Sequence, residues 1–174
     1  KAVIKDPLFQ QNSTQLLGML PVLPKEKAND GTWILSSGLN LGIRMNIEDP
    51  QLYAVFPYRI YGIGKPNLEL AINTFNKRYD LAFNGWQQDA VNAALLGLTE
   101  EAKKMVSTNF SNKHNGSRFP AFWGPNYDWV PDQDHGNITM RALQAMLVQS
   151  EKGQTYMLPA WPKNWELQFK VNVS

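Results

Sequence analysis

The chain has 174 residues, enough for one domain with its own core or for part of a larger one, and its 43% hydrophobic and 18% charged content is that of a globular protein. A net charge of +2 without any run of Lys or Arg excludes the electrostatic footprint of a nucleic-acid binder. With no cysteine there is neither a disulfide framework nor a thiolate metal site, and no apolar run reaches the length of a membrane span.

The chain opens on Lys1 rather than Met, as a processed or partial chain does, and residues 1–47 show no sustained period. Gln15 to Leu20 reads as the end of a helix, stopped by Pro21 and Pro24. Asn29-Asp30-Gly31 reads as a turn, and the Gly- and Ser-rich stretch from Trp33 to Met45 as extended or looped. Leu52 to Tyr58 is an apolar run cut by Pro57, either a half-helix or a buried loop. Gly62-Ile63-Gly64-Lys65-Pro66 is a connector; without a preceding strand or a third glycine it is no dinucleotide motif.

From Asn67 the helical signals are strong. Asn67 is a good cap, and Leu68, Ala71, Ile72 and Phe75 follow at i, i+3, i+4 and i+7. A second helix is predicted from Trp86 through Ala90, Ala93, Ala94 and Leu96, closed by Gly97. Thr99 opens a third, with Glu100 and Glu101 at its positive end and Ala102, Met105 and Val106 facing inward. So short a connector forces an antiparallel helical hairpin. A fourth helix is expected to be capped by Asn137 or Thr139, to bury Met140, Leu143, Met146 and Leu147, and to end just before Gly153. Alternation from Trp165 to Ser174 predicts a half-buried strand, paired with Tyr156-Met157-Leu158 across the bend at Pro159 to Asn164. The expected class is mainly α, with a short C-terminal β element.

The stretch from Phe119 to Asn137 fits no period. It holds five aromatics, the carboxylates of Asp128, Asp132 and Asp134, and His135. Long loops inside compact domains are usually functional or disordered, and disordered segments are poor in aromatics. An ordered aromatic loop bearing acids suits a sugar site: flat faces for pyranose rings, carboxylates for hydroxyls or proton transfer. Asp134 enters a helix, which favours its charged form and so a base, although a capping or Asx-turn role for Asp132 or Asp134 fits as well. Trp86, Trp123 and Trp129 offer stacking faces, Trp86 alternatively packing in the core; Trp161 and Trp165 read as structural. His135 is either a hydrogen-bonded loop residue or part of the site, and His114 lies in a polar turn. The acids miss calcium-loop spacing, so no metal is expected. Asn12, Asn109, Asn115, Asn137 and Asn172 begin Asn-x-Ser/Thr triplets that reflect an Asn-rich composition. No nucleotide-loop, zinc or serine-hydrolase motif is present.

Several segments, in order, resemble glycoside hydrolase family 95, the α-L-fucosidase group. They are Leu20-Pro21 with Asn29-Asp30-Gly31, Leu52-Tyr53-Ala54-Val55-Phe56-Pro57, Asn84-Gly85-Trp86, Asp134 through Gln149-Ser150, and Tyr156-Met157-Leu158-Pro159-Ala160-Trp161-Pro162. The resemblance covers most of residues 15–173. It implies part of an (α/α)6 toroid of helical hairpins over residues 1–154, and the start of a C-terminal β element over 155–174. It further implies inverting hydrolysis of an oligosaccharide or polysaccharide without a cofactor. Asp134 would stand on the base side, with Trp86, Trp123, Trp129, Asp132 and His135 around the sugar. The remainder of the same polypeptide would complete the toroid and bring the general acid, and a periplasmic or extracellular location would follow. Two departures stand out. The family's substrate-contacting histidine is Gln51 here, and its Asp-Gly-Asn segment reads Asp134-His135-Gly136-Asn137. The loss of that histidine favours the competing class, a non-catalytic carbohydrate-binding or structural helical module.

Overall fold

The computed structural model describes residues 6–39, 42–43, 45, 47–111, 119–120, 127–128 and 134–170. These residues are mainly helical, with small two-stranded sheets.

Helix α1 (Pro7–Met19) begins well before the predicted end segment. Asp6 caps it, accepting from the Leu8 and Phe9 amides at 2.9 and 3.3 Å, and Pro7 sits in the first turn. No residue of α1 is buried. Strands β1 (Lys25–Lys27) and β2 (Trp33–Leu35) form a hairpin around the Asn29-Asp30-Gly31 turn. It docks on α2 (Leu68–Asn76): the Leu35 amide donates to Thr74 Oγ1 at 2.8 Å, and Lys77 Nζ meets Asp30 at 2.6 Å.

The run at Leu52 resolves into a 3-10 helix, Pro50–Ala54, with Leu52, Ala54 and Val55 buried. In α2, Ala71 and Phe75 face the core as predicted, with Leu68 and Ile72 partly buried beside it. Asn67 occupies the cap position in a left-handed conformation, φ 58°, and its side chain makes no capping bond. Helix α3 (Asp89–Leu96) starts three residues after Trp86, correcting the predicted start; the Gly85 turn, φ 65°, precedes it. All of α3 is buried, and Gly97 closes it at φ 77°. Gly97 and Leu98 then lead into α4 (Thr99–Ser111), which packs on α3 and buries Ala102, Met105 and Val106 as expected. Asn109, at the head of one Asn-x-Ser triplet, is also buried, its Nδ2 donating to Phe83 O at 2.9 Å.

Helix α5 (Asp134–Leu147) corrects the sequence reading twice. It begins at Asp134, so Asn137 and Thr139 lie inside it. Its buried stripe is Gly136, Thr139, Ala142, Ala145 and Met146, while Met140 is exposed and Leu143 and Leu147 are partly buried. The facing helix explains the choice. Helix α3 presents Ala90, Ala93 and Ala94, and small residues on both surfaces let two axes come close. The two helices run in the same direction: Gly85, before α3, lies against His135, and Ala94 and Ala145 near their ends share one donor, Gln149.

Helix α5 passes directly into β5 (Val148–Glu151), which pairs with β6 (Gln154–Met157). Gly153 is therefore the turn of a hairpin rather than a helix stop; Lys152 and Gly153 both have positive φ, 49° and 82°, as a primed turn requires. Tyr156 and Met157 pair with β5, not with the tail, and residues 165–170 form no strand. Alternation there supplies a face without a partner strand. The hairpin is fixed to the connector: Lys65 Nζ meets Glu151 at 2.7 Å, and the Tyr156 ring occupies the space where a Cβ on Gly64 would stand. Trp161 and Trp165 pack edge to face at 5.3 Å against the core. Strands β3 (Phe119–Pro120) and β4 (Tyr127–Asp128) form a two-residue antiparallel ladder.

Candidate functional site

A cleft of about 640 Å³ opens where three elements meet. Phe56 comes from the end of the 3-10 helix segment, Trp86 and Gln88 from the turn before α3, and Asp134, Asn137, Arg141 and Gln144 from α5. The α5 residues recur every three or four positions, which makes them one helical face, opposite the small-residue stripe. Local geometry explains how Trp86 reaches that face. Gly85 has φ 65°, and a Cβ on it would lie 3.3 Å from His135 Nε2. The turn therefore lies flat on the histidine ring at the start of α5, carrying Trp86 to the cleft.

Two of the residues singled out from sequence, 48 positions apart, thus line one concavity: Trp86 and Asp134. Asp134 has a side chain 58% exposed, and its Oδ1 accepts from the His135 amide at 2.8 Å. His135 lies largely behind the cleft against Gly85, its Nε2 3.9 Å from Asp134 Oδ1. Trp123, Trp129, Asp132 and His114 lie outside the described residues. Gln51 is engaged by neighbouring side chains. It donates to Asp49 Oδ1 at 3.0 Å and accepts from Ser37 Oγ at 2.8 Å.

Directly behind Trp86 lies a polar recess that sequence reasoning missed, lined by Glu48, Asp49, Tyr53, Asp89 and Asn92, with Trp86 and Gln88 shared between recess and cleft. Asp89 opens α3 and forms an ion pair with Arg78; both side chains are only 8% exposed. Burial pushes the Asp89 carboxyl up to about 6, against the pull of Arg78, with the charges of Asp49 and Asp80 adding to the rise. Arg78 also lies 4.1 Å over the Phe75 ring and donates from Nη1 to Phe75 O at 2.8 Å. Tyr53 donates to Glu48 Oε2 at 2.8 Å, and burial together with that carboxylate raises the Tyr53 hydroxyl. The one available signal was an acid at the head of an Ala-rich helix, whose burial is a tertiary fact.

Among the described residues, no three His, Asp or Glu side chains are placed to hold a metal, and no helix is long and apolar enough to cross a membrane. The cleft itself combines two aromatic rings, three side-chain amides, a guanidinium and a carboxylate. That donor and acceptor set can recognise a polyhydroxylated ring and hold a negative charge beside it. Comparisons with protein-family models, with characterised proteins and with solved structures give no match.

Proposed function

We propose that this chain forms one wall of a glycoside hydrolase site, with Asp134 on the base side of an inverting reaction. The single observation that carries the reading is the convergence of Trp86 and Asp134 on one cleft, both expected at a sugar site from their residue types and segments. Phe56 joins them from the segment that resembles the family's substrate-contacting stretch. The α3–α4 hairpin followed by α5 parallel to α3 is the alternation a toroid of hairpins requires. In this reading the Trp86 face stacks on the sugar, and Gln88, Asn137 and Arg141 bond its hydroxyls. On the base side, Asp134 orients a water whose oxygen bonds the anomeric carbon opposite the leaving group as the glycosidic C–O bond breaks. The water's proton passes to the base side, and the partner acid protonates the departing oxygen. That acid belongs to the remainder of the polypeptide, about 6.5–9.5 Å away across the substrate.

The test is turnover of aryl glycosides by the complete polypeptide. Asp134→Asn should lower kcat by about 100-fold or more while leaving the melting temperature in place. Activity retained by that variant would remove Asp134 from the mechanism. A second reading, a binding module without catalysis, is favoured by one observation: Asp134 is the one carboxylate among the described cleft residues. Saturable tryptophan quenching by oligosaccharides, abolished in Trp86→Ala and unaccompanied by turnover, would select it. Neither turnover nor quenching would reject both.

A further inference from the structure

The recess behind Trp86 has a volume of about 20 Å³, room for one hydroxyl group or one water. One of its lining side chains, Asn92, is 3% exposed, and its Oδ1 has no hydrogen-bond partner. Buried acceptors are almost always satisfied, so a donor belongs at this position. Of the other lining side chains, Glu48 and Asp89 accept when ionised and Tyr53 donates its hydroxyl proton to Glu48 Oε2 at 2.8 Å, while the amides of Gln87 and Gln88 make no bond to Asn92 Oδ1. Trp86 and Gln88 border recess and cleft alike, so a sugar held against Trp86 sits at the boundary between the two.

We propose that the recess is a specificity subsite that seats one hydroxyl of the sugar held in the cleft, with Asn92 Oδ1 accepting its hydrogen bond. The proposal rests on the carbohydrate reading and deepens it: the substrate class narrows to sugars with a free hydroxyl on the side that meets Trp86. A group that cannot donate, such as a methyl ether or a deoxy carbon, leaves Asn92 orphaned and binds less well.

The experiment is a titration of tryptophan fluorescence with methyl glycosides of glucose, galactose, mannose and fucose. The monodeoxy derivatives of whichever bind follow, each measured on the wild-type protein and on Asn92→Leu. Asn92→Ala serves in addition, should the larger side chain not fold. Deleting one particular hydroxyl should weaken wild-type binding about 10-fold and binding to the Asn92 variant less than about 2-fold, the signature of a direct pair. Equal losses in both proteins would show that the hydroxyl is read elsewhere and that the recess holds a resident water only, overturning the proposal. So would a deoxy series that binds as tightly as the parent sugar. Absence of quenching by every glycoside in the wild type would remove the carbohydrate reading itself, and the subsite with it.

Discussion

Residues 6–47 and residues 50–165 are organised by different forces. In the first region α1 is defined by its ends: an Asp6 cap, a proline in the first turn and two prolines after it. None of its residues is buried, and Leu16, Leu17 and Met19 are 62–73% exposed. Leu35 is the one buried apolar residue described there. In the second region α3 has no exposed residue and poor capping, its N-cap Gln88 making no side-chain bond, yet it is the centre of the core. Caps fix where a helix starts and stops; burial against neighbours fixes a fold.

The contrast is sharpest at the buried ion pair. Arg78→Ala should cost about 3–5 kcal/mol at pH 8, because it strands the Asp89 carboxylate inside the core. The loss should shrink below pH 6, where Asp89 takes up a proton. In the wild type the same group binds its proton more tightly folded than unfolded, at about 6 against 3.8. Its contribution to stability therefore falls as pH rises from 4 to 6 and is flat above. Urea titrations at pH 5 and 8 measure both effects, and equal losses at the two pH values would refute the assignment. Gly64→Ala should have a middle-sized effect, about 1–3 kcal/mol, since the new methyl meets the Tyr156 ring at a backbone φ of 76°. Hydrogen exchange in β5 and β6 should rise with it, and an unchanged rate would show that the hairpin does not depend on that contact. Leu16→Ala should change stability by less than about 0.5 kcal/mol. A loss above 1 kcal/mol in thermal melts would mean that α1 is held by packing after all.

Legibility in the sequence follows the same division. The α2 face and the α3–α4 hairpin were readable because period, Gly97 and Thr99 are local signals. Of the predicted α5 stripe Met146 is buried, whereas Met140 is exposed and Leu143 and Leu147 are only partly buried, because small residues form most of the inward face. The hairpin at 148–157 was missed because its turn is Lys152-Gly153, without the Asn-Gly or Asp-Gly signal. Trp86 and Asp134 were singled out in the sequence by residue type and by the family resemblance, and that they line one cleft is a tertiary fact. Arg141 and Gln144 were also within reach, since they continue the polar face of α5 that starts at Asp134. Asp89 was not, because its character comes from burial beside Arg78, eleven residues back in the chain.

Gln149 donates from one nitrogen to Ala94 O at 2.8 Å and to Ala145 O at 3.0 Å, riveting the far ends of α3 and α5. Their near ends carry Trp86 and Asp134. From Ala145 to Asp134 the helix runs about 16 Å, so swinging α5 about 5° around that rivet displaces the carboxylate by about 1.4 Å. The α3–α5 contact is thus held at both ends, by Gln149 at one and by Gly85 against His135 at the other, and the separation of Trp86 from Asp134 follows from both.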